Sequence, residues 1–459
     1  MHPLLAPASE PSRPVWLVSE QTWAGVSEGL PASGRAFAKA HGFEGKSGSH
    51  CVLPGGDGDI AGVVFGIEAG GAKHVDPFLP AKLVTLLPEG TYRFETAPAD
   101  ATLATLGWLL GAYSFDRYRD RPRKAVRLVV PEGVDHDEVA RIAQAVATGR
   151  DLINTPTNDL GPDGIEAAAR HLAERHAAAF ASIVGDDLLR QNFPMIHAVG
   201  RASATAPRLI DMVWGRDDAP KVTLVGKGVA FDTGGLDIKP SASMLLMKKD
   251  MGGAAAALAL ADMVMGAGLP VRLRVLVPAV ENAISGASFR PGDILPSRKG
   301  LSVEIGNTDA EGRLILGDAL ALADEESPDL VVDFATLTGA ARVALGPELP
   351  AFFTEDDGLA AEIARCGQAV NDPVWRLPLW QPYASQLESK IASTNHIGGP
   401  MAGSITAALF LRKFATAAKA HAHFDIFAWS NAARPGRPEG AEVQGARLMY
   451  QLLKERYGS

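Results

Sequence analysis

The chain has 459 residues, of which 47% are apolar, and its formal net charge at pH 7 is −9. This length exceeds what one compact core usually holds, so we expect two domains. The acidic balance provides no overall electrostatic attraction for nucleic acid or anionic lipid, so we do not expect either as a partner.

Cysteine usage and hydropathy bear on the compartment. Cys51 and Cys366 are the two cysteines, far apart in the sequence, which is typical of a reduced compartment. No apolar run is long enough to span a bilayer, and residues 1–20 lack the pattern of a signal peptide. We therefore expect a cytoplasmic protein without a membrane segment.

Residues 1–134 predict a small α/β domain. The Ala- and Leu-rich segment Ala99–Tyr113 predicts a helix. Short apolar runs predict strands at Gly62–Ile67, Lys82–Leu87 and Leu128–Val130.

A linker helix is predicted from about residue 137 to residue 153, because apolar residues recur there at helical spacing behind acidic residues. It should end before Pro156, since the residue that precedes a proline is driven out of the helical conformation. We place the domain boundary just before this helix, so that residues 135–459 form the second domain.

Strands and helices alternate beyond residue 150. This alternation predicts a mainly parallel central sheet covered by helices, in a larger carboxyl-terminal domain of α/β class. Gly252–Met265 and Gly312–Asp324 predict helices. The candidate strands are Lys221–Val225, Val271–Val277, Ser302–Ile305 and Leu330–Phe334.

Four carboxylates and three bases stand in glycine-rich loops near these predicted strand ends, where open α/β sheets bind their ligands. They are Lys227, Asp232, Lys239, Asp250, Asp309, Glu311 and Arg313. Four carboxylates in one pocket would repel each other unless cations neutralised them, and two divalent ions would balance their charge. The pattern predicts a metal-hydrolase centre.

The glycine-rich runs that contain these residues resemble the leucyl aminopeptidase (cytosol aminopeptidase, M17) family. The runs are Val225–Gly235, Ile238–Pro240, Met247–Gly253 and Asn307–Leu314. The resemblance covers the carboxyl-terminal two thirds well and is weak before residue 135. It implies a metal-dependent aminopeptidase that hydrolyses the amino-terminal peptide bond, prefers apolar first residues such as Leu, and assembles as a homohexamer. Its partners would be peptides with a free amino terminus.

The resemblance also implies a set of ligands for two divalent ions per subunit, Zn²⁺ or Mn²⁺. In this reading Asp232 and Glu311 bridge the two ions, Asp309 completes one site, and Lys227 with Asp250 completes the other. An amine is a ligand only when it is deprotonated, so Lys227 must lose its proton, which an adjacent dication promotes. Two such ions activate the attacking water and polarise the peptide carbonyl.

Five further residues match the family position by position. Lys239 and Arg313 match its non-ligand catalytic residues. Lys239 would stabilise the oxyanion, and Arg313 would hold a bicarbonate that shuttles the proton. Met247, Thr336 and Gly339 match the pocket for the first side chain.

Two other functions remain as alternatives. Another dinuclear hydrolase, such as a phosphoesterase, would cleave phosphate esters and ignore a blocked amino terminus. A DNA-binding or regulatory role would give salt-sensitive binding to duplex DNA, against which the acidic balance argues. The pair His421 and His423 has the spacing of a zinc pair, but its apolar neighbours favour structural histidines in a packed strand.

Overall fold

A computed structural model describes residues 1–56, 58–120 and 124–458. The chain forms two compact units, Met1–Ala147 with Ala432–Glu439, and Thr148–Asn431 with the segment from Gly440 onward. The division lies inside a long helix, His136–Asn154. The sequence places the domain boundary before that helix, at residues 134 and 135, and this boundary stays a prediction.

Within the described ranges, the first unit contains a six-stranded sheet. Its strands are β1 (Leu5–Ala6), β2 (Arg13–Val18), β3 (His50–Pro54), β4 (Ile60–Gly66), β5 (Gly90–Phe94) and β6 (Val126–Val129). The strand order is β1-β6-β5-β2-β4-β3, and all neighbours pair parallel except β3, which is antiparallel to β4 at one edge. The helices of this part of the chain are α1 (Trp23–Glu28), α2 (Ala32–Ala40), α3 (Leu83–Leu86), α4 (Ala101–Gly111) and α5 (His136–Asn154).

The strand predicted at Lys82–Leu87 is wrong. Leu79–Lys82 forms a 3₁₀ turn that continues into helix α3. Leu79, Leu83 and Leu87 are buried, and a spacing of four places their side chains on one face of a helix. The helix predicted at Ala99–Tyr113 is confirmed by α4.

The second unit is built on a larger, mixed sheet. Its strands are β7 (Ala179–Val184), β8 (Arg208–Trp214), β9 (Lys221–Gly226), β10 (Gly228–Asp232), β11 (Arg272–Asn282), β14 (Leu330–Ala335), β15 (Ala351–Phe353), β16 (Trp375–Arg376) and β18 (His421–Asp425). The order is β16-β15-β18-β14-β9-β11-β8-β7, with β10 paired to the far part of β11. Strands β18, β14, β9 and β11 are mutually parallel, whereas β7, β8 and β15 introduce antiparallel pairs. The mainly parallel sheet predicted from the sequence is confirmed.

Short strands outside this sheet correct one further prediction. They are β12 (Ile294–Pro296), β13 (Ser302–Glu304), β17 (Thr394–Asn395), β19 (Trp429–Ser430) and β20 (Gly440–Ala441). The predicted strand Ser302–Ile305 exists as β13, but it pairs with β12 and β17 in a separate three-stranded sheet. Its central residue Val303 is buried while Ser302 and Glu304 are only partly so, as in a short strand with one covered face.

The second unit also contains helices, several of which pack on its central sheet. They are α6 (Pro162–Arg175), α7 (Asp187–Arg190), α8 (Pro194–Gly200), α9 (Ser241–Met244), α10 (Gly252–Gly266), α11 (Glu311–Asp324), α12 (Gly339–Leu345), α13 (Asp357–Ala369), α14 (Gly403–Arg412) and α15 (Ala446–Tyr457). Helix α10 packs on β9 and β14, and α11 shares a buried cluster with Val225, Leu276 and Val331 of β9, β11 and β14. Among the helices in the described ranges, none has both the length and the apolar character that crossing a bilayer requires.

Candidate active site

Two of the predicted ligands lie at the two ends of strand β10. Lys227 separates the two strands, and its backbone N–H donates to the carbonyl of Phe334 at 3.0 Å while its carbonyl accepts from Ala254 at 2.8 Å. Helix α10 approaches β14 so closely here that a Cβ on Gly253 would lie 2.1 Å from the Phe334 oxygen, so only glycine fits. Asp232 ends β10 opposite Asn282, the last residue of β11.

The other three carboxylates stand where turns lead into buried helices. Asp250 lies in the 3₁₀ turn Met247–Met251 that runs into α10, and Asp309 lies in the turn Thr308–Ala310 before α11. The side chain of Asn307 caps that second turn by accepting a 2.7 Å hydrogen bond from the Asp309 N–H. Glu311 is the first residue of α11, where the helix dipole favours a negative charge.

The Lys227 ammonium lies between two of these carboxylates. Its Nζ is 2.8 Å from Asp250 Oδ2 and 3.1 Å from Glu311 Oε1, and it donates to the Thr336 carbonyl at 3.0 Å. Burial opposes the charge on Lys227, but the carboxylates of Asp250 and Glu311 outweigh burial and hold its pKa above the ordinary value. Lys227 is therefore a counter-ion in this arrangement.

Lys239 joins the other two carboxylates. Its Nζ lies 2.8 Å from Asp232 Oδ2 and pairs closely with Asp309 Oδ1. Burial opposes this charge as well, and the pairing with Asp232 and Asp309 raises the pKa of Lys239 above its ordinary value. Asn282 adds neutral donors, since its Nδ2 lies 2.8 Å from Asp232 Oδ1 and 3.4 Å from Glu311 Oε2.

The carboxylates remain electrostatically strained despite these partners. Burial, followed by repulsion from Asp232, raises the pKa of Asp309 to about 6 and raises that of Glu311 well above its ordinary value. Burial also raises the pKa of Asp250, although Lys227 counteracts it. Buried acids with raised pKa values in one place are typical of functional sites.

The donor set fits a divalent cation. Asp232, Asp309 and Glu311 each offer an oxygen, and these oxygens lie within 4.8 Å of one another. Within the described residues, Glu311 Oε1 is buried and accepts no hydrogen bond of good geometry. Clustered carboxylate oxygens are the ligands that hard and borderline dications prefer, so the chemistry of the site matches the predicted metal centre.

Arg313 is buried in helix α11, two residues beyond Glu311. Its Nη1 donates to the His396 carbonyl at 2.7 Å, whereas its Nε, among the described atoms, has no acceptor. Burial lowers the pKa of Arg313 to about 10, against the attraction of Asp425 and Glu311. The guanidinium thus keeps a buried donor available for an oxyanion.

One cavity connects most of the predicted residues. The five site residues on its lining are Lys227, Asp232, Lys239, Asp250 and Asp309, and the three predicted substrate residues on it are Met247, Thr336 and Gly339. The Thr336 hydroxyl donates to Asp250 Oδ1 at 2.8 Å, which ties the predicted substrate pocket to the metal cluster. Glu311 and Arg313 are buried and do not belong to the described lining.

Sequence reasoning missed four residues of the site. Asn282 and His396 hold Asp232 and Arg313 in place, and Lys249 and Arg342 line the cavity. A polar residue that ends an apolar strand is a signal for Asn282. No signal marks His396, because it acts through its backbone oxygen.

The two histidines at residues 421 and 423 lie elsewhere in the unit. His421 Nε2 is 2.7 Å from Asp333 Oδ2, and His423 Nδ1 is 2.5 Å from Asp333 Oδ1. The buried carboxylate attracts the ring protons of His423, raising its pKa despite burial, and His423 also stacks on Phe353. This arrangement supports structural histidines within the strand pair β14–β18.

Family models and relatives match both parts of the chain. The family model described as the cytosol aminopeptidase family, catalytic domain, matches residues 147–450, and that of the M17 aminopeptidase, N-terminal domain, matches residues 14–131. The probable cytosol aminopeptidase of Roseiflexus castenholzii is 40% identical over 380 residues, covering 79% of this chain and 78% of that protein. That of Chlorobium limicola is 34% identical over 456 residues and covers 90% of each.

Solved structures extend the match to the whole fold. The cytosol aminopeptidase from Coxiella burnetii has a TM-score of 0.94 and 43% identity, covering 99% of both chains. The bottromycin maturation enzyme BotP in complex with Mn has a TM-score of 0.87 and 32% identity, covering 97% of this chain and all of that one. The architecture is that of the two-domain aminopeptidases. The chain belongs to the cytosol aminopeptidase (M17) family, so the resemblance inferred from the sequence is confirmed.

Proposed function

We propose that this chain is a dinuclear metallo-aminopeptidase that removes the first residue of peptides with a free amino terminus. The observation that carries the proposal is the pairing of four buried or half-buried carboxylates with two lysines, all of which except Glu311 line one cavity. Membership of the cytosol aminopeptidase family supports metal-dependent peptide hydrolysis. A solved relative determined with Mn favours Mn²⁺, and Zn²⁺ is the other candidate.

The proposed ligands divide between two ions. Asp232 and Glu311 would serve both, Asp309 would complete one set, and Lys227 with Asp250 would complete the other. Two divalent ions bound there would supply Lewis acidity, which lowers the pKa of water and polarises a carbonyl. Lys227 must give up its proton to act as a ligand, and the acids whose pKa values are raised must give up theirs.

Lys239 is the proposed stabiliser of developing negative charge. Asp232 and Asp309 hold its ammonium on the cavity lining, and its raised pKa keeps it cationic at neutral pH. A fixed cation at this position costs no reorganisation when the substrate carbonyl oxygen acquires charge.

Arg313 is the proposed anchor for a proton-shuttling bicarbonate. Its fixed bond to His396 orients the guanidinium, and its buried Nε leaves a donor for a planar oxyanion. The proposed requirement for a free amino terminus follows from the metal centre, because the uncharged amine of the first residue would offer a nitrogen ligand to one ion and an acylated nitrogen would not.

Other parts of the proposal rest on the resemblance alone. Met247, Thr336 and Gly339 would contact the first side chain, for which the sequence predicts apolar residues such as Leu. A homohexameric assembly and a cytoplasmic location likewise stay predictions.

Hydrolysis of aminoacyl-p-nitroanilides tests the proposal. The purified chain is treated with EDTA, reloaded with Mn²⁺, Zn²⁺, Co²⁺ or Mg²⁺, and assayed with free and N-acetylated substrates. We expect activity that depends on metal and is lost on acetylation. Equal cleavage of acetylated substrates would contradict the requirement for a free amino terminus, and cleavage of p-nitrophenyl phosphate in place of the anilides would favour the phosphoesterase alternative.

A further inference from the structure

Two cationic side chains lie on the lining of the active-site cavity, and the mechanism above does not use them. Lys249 is adjacent in sequence to Asp250 and is only 5% exposed, and Arg342 belongs to helix α12. Both lie against the ring of Phe427, which also lines the cavity. Lys249 Nζ is 4.6 Å from the ring centre, and Arg342 Cζ is 4.4 Å from it. The two cations therefore flank one aromatic wall of the cavity.

Neither cation has a carboxylate partner at ion-pairing distance in the part of the chain that the structure describes. The two acids whose charges act on Lys249, namely Asp250 and Asp425, are engaged with other partners. Asp250 pairs with Lys227 and accepts from Thr336. Asp425 accepts two backbone hydrogen bonds of 3.1 Å and a 2.5 Å bond from the hydroxyl of Thr338.

A buried cation without a counter-charge, such as Lys249, raises the free energy of the folded chain, and a bound anion relieves that cost. Arg342 is exposed and reaches the same wall from the solvent side. An Arg guanidinium also provides a planar pair of donors that matches the two oxygens of a carboxylate. The aromatic wall excludes water from one side of both groups, which strengthens their attraction for an anion. The cavity wall is therefore suited to a carboxylate.

We infer that this wall recognises an acidic first residue, glutamate or aspartate, through its side-chain carboxylate. The inference rests on the proposed function, because it takes the cavity beside the carboxylate cluster as the place where the first residue lies. Met247 and Thr336 contact the stem of that side chain, while Lys249 and Arg342 pair with its end. This preference differs from the one for Leu predicted from the sequence.

Glutamyl- and glutaminyl-p-nitroanilide form the decisive pair of substrates, because they differ in charge and match in shape. With the metal-loaded enzyme, we expect kcat/KM for the glutamyl substrate to exceed that for the glutaminyl substrate about tenfold or more, because the neutral amide loses the charge-assisted hydrogen bonds that the carboxylate would accept. Leucyl-p-nitroanilide serves as the apolar reference, and aspartyl-p-nitroanilide tests the shorter acid.

Variants of Lys249 and Arg342 test whether these two side chains cause the preference for the glutamyl substrate. Arg342→Gln and Lys249→Met should each reduce the glutamyl-to-glutaminyl ratio of kcat/KM about tenfold, because one of the two donors to the carboxylate is lost. Arg342→Gln keeps the test valid if Lys249→Met fails to fold, since Arg342 is exposed. Lys390→Met is the matched control: Lys390 is exposed and lies outside the described lining, so this variant should keep the wild-type ratio.

The outcomes separate the two proposals. Leucyl hydrolysis with a glutamyl-to-glutaminyl ratio near one, or a ratio that neither variant changes, overturns the acidic preference and leaves the aminopeptidase intact. If Arg342→Gln instead slows only substrates with a free carboxyl terminus, such as Leu-Leu relative to Leu-Leu-amide, the cations bind the peptide terminus and the inference is also overturned. No hydrolysis of any free aminoacyl substrate by metal-loaded enzyme contradicts the proposed function itself.

Discussion

Gly312 offers a way to displace one proposed ligand without deleting it. It is the second residue of α11, and a Cβ at this position would lie 2.4 Å from Lys227 Cε and 2.7 Å from Lys227 Nζ. Ordinary contact begins at 3.4 Å. Gly312→Ala therefore forces the amine to move by about 1 Å, since a close-packed interior offers no free space. Lys227 is only 3% exposed and is held by Asp250 and Glu311, so it cannot avoid the new methyl group at no cost.

The expected loss of activity follows from the size of this displacement of the Lys227 amine. A misplacement of about 1 Å in a reacting constellation typically lowers the rate about 10²-fold. We expect a loss of this size in kcat, together with less than two metal equivalents per chain. The fold should survive, because alanine favours a helix over glycine by about 0.5–1 kcal/mol, which offsets part of the local strain.

Metal analysis and steady-state kinetics on the purified variant test this expectation. Gly111→Ala is the control, since Gly111 also belongs to a helix and its Cβ would meet Ala81 at ordinary contact distances of 3.4 Å and more. That variant should keep the activity and metal content of the unaltered chain. Full activity and normal metal content in Gly312→Ala would refute the placement of Lys227 as a ligand.

Three further predictions concern the carboxylates and Lys239. Asp309→Asn should abolish turnover and lower the metal content measured by elemental analysis; normal stoichiometry would count against Asp309 as a ligand. Lys239→Ala should retain metal and lose about 10²–10³ in kcat, the size typical of removing one oxyanion stabiliser; unchanged turnover would remove Lys239 from the mechanism. Burial and Asp232 raise the pKa of Asp309 to about 6, so below that pH a proton occupies the carboxyl and must be displaced. We therefore expect that protonation of Asp309 does not reduce the metal affinity, measured by calorimetry, above pH 6. Below pH 6 the affinity should fall about tenfold per pH unit for each proton displaced. An affinity that stays constant down to about pH 5 would contradict this expectation.

The central sheet could be predicted because its strands are apolar runs between loops. Leu330–Ala335 is buried throughout, as expected for a strand inside a parallel sheet. Its nearly continuous apolar run therefore predicts the strand without tertiary information. The segment Lys82–Leu87 shows the limit of the same reasoning. A short apolar run does not distinguish a strand from a buried helical turn, and the decisive feature is the spacing of Leu79, Leu83 and Leu87.

Some residues of the site could likewise be predicted from the sequence, and others could not. Asp309 and Glu311 could be predicted because they stand with other carboxylates and lysines in glycine-rich runs, and because the run Asn307–Leu314 resembles the M17 family. Asn282 and His396 act by positioning other residues, and their roles depend on distances that a linear pattern does not contain. Lys249 reads as a surface lysine in the sequence, and only the folded chain reveals that it is buried against Phe427.

The charge balance of the cluster links the geometry to the chemistry. Four carboxylates with two ammonium groups carry a net charge of about −2, which attracts dications. Two bound dications, with Lys227 neutral and Lys239 charged, would reverse this to about +1. The loaded cluster would then favour negative charge in its vicinity, as an oxyanion or a bicarbonate beside Arg313. The two lysines thus neutralise part of the acidic charge in the chain without metal, and loss of the Lys227 proton together with the binding of two ions would change the site from one that attracts cations to one that stabilises anions.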